Sequence, residues 1–192
     1  MTATVLVKVA FGGTDGTPGS TNDITDPDAG VRFQANDSPD TVDTAHPILV
    51  PTSGSNYSFW MHVGLDITVA PTTKIYDVEF FSDGTLGTWT NLTLKAGNIS
   101  GGPPHGLTMD TEYEVATGTI DETGDEMVAN HSGIDSAVDV TTYVTGSALS
   151  VDTADHTTTE KTKFVVLQLT VPDTASEGVY ADEQLTFRYK EV

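Results

Sequence analysis

KFVVLQLTVP, Lys163 to Pro172, opens the last thirty residues of the chain, and QLTFRYKEV, Gln184 to Val192, closes them. In the first segment Val165, Leu167, Leu169 and Val171 share one face, opposite Phe164, Val166 and Gln168. In the second, Leu185, Phe187 and Tyr189 oppose Thr186, Arg188 and Lys190. Alternation with a period of two marks half-buried β-strands. Pro172 cannot donate to a ladder and ends the first strand, while Gly178 and its acidic neighbours suit a surface loop. The reading is two long antiparallel strands that pair and close a β-domain.

Upstream, the same pattern recurs. Val5, Val7 and Val9 alternate with Leu6 and Lys8 over Thr4–Phe11. SNYSFWMHVGLDITV, Ser55 to Val69, places Tyr57, Phe59, Met61, Val63, Leu65, Ile67 and Val69 on one face and Trp60, His62, Gly64, Asp66 and Thr68 on the other. Gly64 is a natural place for this long strand to bend. Lys74–Phe81 alternates Ile75, Asp77, Glu79 and Phe81 against Tyr76, Val78 and Phe80. Shorter strands are expected at 31–35, 46–50, 88–95, 111–119, 137–144 and 149–151, with one helical turn in 125–130. Gly, Pro, Asn and Asp clusters separate them. No amphipathic helical run occurs, so the class is all-β: an antiparallel sandwich, immunoglobulin-like or jelly-roll. No composition break divides residues 1–192, which read as one domain with long acidic loops at 12–30, 36–45 and 120–136.

The net charge is −20, from 28 acidic and 8 basic residues. Such a surface repels phosphate backbones and anionic lipid, which speaks against direct nucleic-acid and membrane binding. It suits solubility, and equally a setting of high salt or of divalent cations. There are no cysteines, hence no disulfide and no thiolate metal site. No secretory signal is visible at Met1–Val5, and no apolar run reaches membrane length.

Chemistry-bearing patterns are sparse. Asp23, Asp26 and Asp28, and Asp121, Glu122 and Asp125, bring oxygen ligands together at short spacing, as calcium requires; solvated turns use the same residues. The histidines, five in all, show no zinc-binding spacing. No nucleophile elbow occurs. Asp77 and Glu79, about 7 Å apart on one strand face, have the separation of a glycosidase pair, against the plainer reading of an exposed face. Trp60 and Trp89 are candidates for stacking on a sugar ring, against a place in the core. These patterns point away from an enzyme.

The closing segment Leu169–Gly178 with Leu185–Tyr189 resembles the last hairpin of immunoglobulin-like surface modules. It is also similar to β-rich virion proteins of tailed phages and archaeal viruses, as are Pro47–Pro51 and Ile75–Gly84. That resemblance implies a non-enzymatic structural component of a virus particle: a capsid-decoration, turret or tail protein, assembled in the host cytoplasm. Its partners would be copies of itself and other virion proteins, with no cofactor beyond calcium. Two further readings stand beside it, a carbohydrate-binding or adhesive module and a cell-surface filament or S-layer subunit. Arg188 and Lys190, side by side on one face, are a docking stripe for an acidic loop of a neighbouring subunit, or else pair with a carboxylate of their own chain.

Overall fold

The computed structural model describes residues 2–25, 30–39, 46–98, 112–178 and 180–192. Its strands, in chain order, are β1 (Thr4–Thr14), β2 (Thr17–Asp23), β3 (Ser55–Tyr57), β4 (Met61–Val69), β5 (Ile75–Phe81), β6 (Thr93–Asn98), β7 (Gly118–Thr119), β8 (Thr123–Gly124), β9 (Ser136–Asp139), β10 (Leu149–Asp152), β11 (Lys161–Pro172) and β12 (Thr186–Glu191). One helical turn, α1 (Met127–Asn130), and one 3-10 turn at Val140–Thr142 complete the regular backbone among the described residues. The protein is all-β, and every strand pair is antiparallel.

Among the described residues the strands form two sheets. The larger runs β2-β1-β4-β11-β3-β8-β7, with β6 on the other edge of β11 and β9 beyond it; the smaller runs β10-β5-β12. Between them lies the main core. Val9 and Phe11 of β1, Met61, Val63, Leu65 and Ile67 of β4, and Val165, Leu167, Leu169 and Val171 of β11 face Ile75, Val78 and Phe80 of β5 and Leu149 and Val151 of β10. Phe187, Leu185 and Tyr189 close it from β12, with the Phe80 and Phe187 rings 5.2 Å apart.

The two closing strands do not pair with each other. β11 pairs with β4 and β3 along one edge and, over Leu167–Thr170, with β6 along the other. The chain crosses to the opposite sheet, where β12 pairs with β5, Phe187 opposite Phe80. Its alternation is as read: Leu185, Phe187 and Tyr189 pack on the core and Arg188 is exposed.

Three other differences have local causes. Residues 12–30 are not a loop throughout: Thr14 and Thr17 pair across Asp15–Gly16, making β1 and β2 a hairpin. Asp-Gly is a strong turn signal, and here it prevails over the polarity of the segment. Gly13, at φ +82°, is required there, since a Cβ would lie 2.4 Å from the Gly19 nitrogen. The long segment 55–69 is interrupted at Ser58–Trp60, and its ladder with β11 shifts register again beside Gly64, which pairs with Phe164 while Asp66 pairs with Lys161. Tyr57 pairs with Thr170 and Met61 with Leu167, four residues against three, and Ser58 Oγ accepts from Leu169 N at 2.9 Å. In β5, Asp77 adopts φ +51° at a shift in register with β12. That bulge turns Val78 inward with Ile75 and Phe80, so the strict alternation across 75–81 does not hold. Of the other expected strands, 31–35 and 46–50 are extended without a ladder, and 112–117 joins none until Gly118.

The outer face of the large sheet is also covered. Ala10, Trp60, Phe164 and Val166 pack there against Tyr113, Ala116, Met127 and Ile134. Gln168, only 2% exposed, fastens this cover. Its Oε1 accepts from Met127 N at 2.9 Å, and its Nε2 donates to Ser58 O at 2.8 Å and Asp125 O at 2.7 Å. All three hydrogen-bonding sites used are satisfied, which a polar side chain at that depth demands.

Candidate binding cleft

A cleft of about 630 Å³ opens beside the C-terminal end of β11, a size typical of ligand sites. Leu169 and Val171 form part of its wall with Leu92; Phe33, Ile48, Leu49 and Val50 come from the two extended segments, and Trp89 and Tyr180 complete the apolar lining. Arg32, His46, Glu177 and Asp182 are its charged or titratable members.

Local structure holds each wall. The turn preceding β6 is pinned by Trp89 N donating to Leu86 O at 2.8 Å and by Asn91, at φ +64°, whose Nδ2 donates to Thr174 O at 3.1 Å. Trp89 Nε1 donates to Ala181 O at 2.6 Å, and the indole meets the Phe33 ring edge-on at 6.0 Å. One edge of the indole is thereby fixed while the side chain stays half-buried. The other wall hangs from the β7–β8 turn. Asp121 N donates to Ala35 O and Leu49 N to Glu122 O, both at 3.0 Å, and Asp121 Oδ1 contacts His46 Nδ1. Leu49 remains 47% exposed and Ile120, at the tip of that turn, 60%. Both are far more open than any core side chain.

Asp121, Asp125 and Asp23, three of the residues read as calcium ligands, have partners within the chain. Asp121 serves His46, and Asp125 Oδ2 accepts from Thr117 Oγ1 at 2.7 Å. Asp23 Oδ1 accepts from Thr25 N at 2.9 Å, and Lys8 stands 3.8 Å from its Oδ2. The Thr25 hydrogen bonds, more than Lys8, hold the Asp23 carboxyl below its ordinary value. Asp26 and Asp28 lie outside the described residues. Among the described residues no three His, Asp or Glu side chains stand close enough to hold a metal ion.

Arg188 and Lys190 are both paired within the chain. Arg188 Nε donates to Glu79 Oε2 and Lys190 Nζ to Asp77 Oδ2, each at 2.8 Å. The carboxylates considered as a glycosidase pair are therefore each held by a cation on the neighbouring strand, as cross-strand partners of an exposed face.

The two tryptophans part company. Trp60 is 3% exposed, its Nε1 donates to Glu114 O at 2.9 Å, and neither face is open to a sugar. Beside it lies a feature the sequence did not signal. His62 and His131, 1% and 2% exposed, meet Nε2 to Nε2 at 3.1 Å, with Tyr113 and Phe164 rings 4.6 and 4.7 Å from His62. Gly133 N donates to His131 Nδ1 at 3.1 Å, so that nitrogen accepts. The His131 proton therefore sits on Nε2 and is donated to His62 Nε2, leaving the His62 proton on Nδ1. Burial, followed by the neighbouring imidazole, holds His62 well below the usual histidine range. Burial lowers His131 as well, against the opposing pull of Glu114, Asp15 and Glu112. The two residues lie 69 positions apart, and only coverage of the sheet by 112–134 brings them together.

His156, also buried, stands between Asp152 Oδ2 at 3.2 Å and Glu160 Oε1 at 3.3 Å. Nε2, despite that proximity, makes no hydrogen bond. Asp152 in turn accepts from Ala154 N and Lys163 N, which fastens the segment between β10 and β11.

Compared with known proteins, the chain matches no family model, no curated protein and no solved structure. No helix among the described residues is long and apolar enough to cross a membrane.

Proposed function

We propose that this chain is a non-enzymatic structural component of a virus particle, a decoration, turret or tail protein that works by docking onto neighbouring subunits. The observation that carries the docking role is the apolar cleft: about 630 Å³ of concave surface with Leu49 and Trp89 left partly open to solvent. It sits on a frame whose central strand is covered on both faces. Open apolar surface on an otherwise acidic chain marks a contact site. The particle itself is suggested by the sequence resemblance.

The test is direct. The gene should lie beside capsid or tail genes, and the chain should co-purify with intact particles through a density gradient. A chain that stays monomeric and is absent from particles ends this reading. A carbohydrate-binding role retains one supporting observation, the half-buried Trp89 in an open cleft. Glycan-array binding abolished by Trp89→Ala would favour it.

A further inference from the structure

We propose that the cleft receives a segment of a different protein in which apolar side chains are flanked by lysine or arginine. The inference rests on the assembly reading and names the chemistry of the partner.

The apolar part of the argument is the lining. Phe33, Ile48, Leu49, Trp89, Leu92 and Val171 border one concavity. Their open surface gains most from apolar side chains that displace water, and a cleft of this size holds a few of them.

The charge part decides between a second copy and another protein. Glu177 and Asp182 line the cleft, and Asp121 sits against His46 on the same rim. Arg32 is the only lysine or arginine lining it among the described residues. The chain as a whole carries −20. A second copy would bring the same excess against this rim, and like charge opposes that encounter. Nor does the chain have many cations to offer. Lys8, Lys74, Arg188 and Lys190 are in ion pairs with Asp23, Asp155, Glu79 and Asp77 of the same molecule. That is half of its eight basic residues. A basic partner meets none of these objections: its cations face Glu177 and Asp182 while its apolar side chains enter between Leu49 and Trp89. Burial supplies the affinity, and charge supplies the rate of encounter and the choice of partner.

The experiment uses the whole chain and three nine-residue peptides: alternating Leu and Lys, alternating Leu and Glu, and alternating Ser and Lys. Binding is read by peptide anisotropy and by the emission of Trp89, with buried Trp60 as a constant background. The Leu/Lys peptide should bind, and Leu49→Asp should weaken it at least tenfold. Leu49 is 47% exposed, so this change tests the surface without emptying the core. Glu177→Lys with Asp182→Lys should weaken it comparably, and raising NaCl from about 50 to 500 mM should lower affinity severalfold. Equal binding of the Leu/Glu peptide overturns the charge argument; equal binding of the Ser/Lys peptide overturns the apolar one. Self-association in sedimentation velocity that Leu49→Asp abolishes assigns the cleft to a second copy and also overturns the proposal. On particles, the outcomes separate. Wild-type chain absent from them defeats the assembly reading. Wild-type and Leu49→Asp chains present in equal amount defeat only the assignment of the cleft.

Discussion

Trp60 and Trp89 are the same side chain in two regions with opposite physical roles. Trp60 precedes β4 and is closed in by Tyr113, Ala116, Met127 and Ile134, with its N–H given to Glu114 O. Trp89 also gives its N–H to a main-chain carbonyl, that of Ala181, yet its ring lines an open cleft. Hydrogen bonding does not distinguish them. Coverage does: the outer face of the large sheet is roofed by residues 112–134, whereas among the described residues no second layer covers the wall around Trp89. One region is spent on stability and the other is free for contact.

The most forceful way to break this contrast is truncation of both indoles. Trp60→Ala leaves a cavity among buried aromatics and should cost about 3–5 kcal/mol, lowering the melting temperature by about 10 °C. Trp89→Ala should cost about 1 kcal/mol while removing peptide binding. Equal losses in urea unfolding would erase the distinction.

Acid probes the covered region next. His62 and His131 are held below the ordinary histidine value, chiefly by burial. The unfolded chain therefore binds protons that the native pair does not. Stability from the pair is full above about pH 6.5 and lost as the pH falls through the native values. The urea midpoint should fall from pH 7 toward pH 5, and His62→Gln should reduce that dependence by about half, since one of the two titrating groups is gone. An unchanged slope would mean that the pair is not the titrating element.

Asp37 acts in the opposite sense over part of the same range. Burial pushes its carboxyl up to about 6, partly countered by the Gly12 N–H that Oδ2 accepts at 2.7 Å. The native state holds a proton that the unfolded chain has released, so this contribution is full below about pH 4 and is lost as the pH rises through 6. Asp37→Asn keeps an acceptor for Gly12 and should make the protein more stable than wild type at pH 7, with no gain at pH 4. Guanidinium titrations at the two pH values check the crossover.

The smallest effect is expected on the exposed face of the small sheet. Arg188→Gln removes a pair with Glu79 in which both side chains are partly solvated, and should cost about 0.5 kcal/mol. A loss of several kcal/mol would show that this face is structurally demanding in the way the Trp60 face is.

Much of the frame was legible in the residues. The alternation in 163–172 and 185–189 located two strands, although β11 is buried on both faces rather than half-buried, and Leu149–Val151 and the single turn near Asn130 appeared where expected. The Asp15–Gly16 turn is legible in the Asp-Gly pair, but its partner strand is not, because a polar segment forms an edge strand only when a neighbouring backbone supplies its ladder. The cleft was visible only in fragments: Trp89 stands out as a candidate stacking residue, whereas nothing in the pattern sets Phe33, Ile48 and Leu92 apart. Nothing marked His62 as the partner of a histidine 69 residues away.

The local pattern of side chains determined the class of structure, because a strand exposes its two faces with a period of two whatever surrounds it. It also determined the acidic surface, since charge is a property of composition. Which strand lies beside which was decided in three dimensions: β11 takes β4, β3 and β6 as neighbours, and β12 pairs with β5 in the other sheet. Whether an aromatic is core or contact was decided there as well. Burial depends on a second layer supplied by distant residues, and no periodicity within a strand records whether that layer is present.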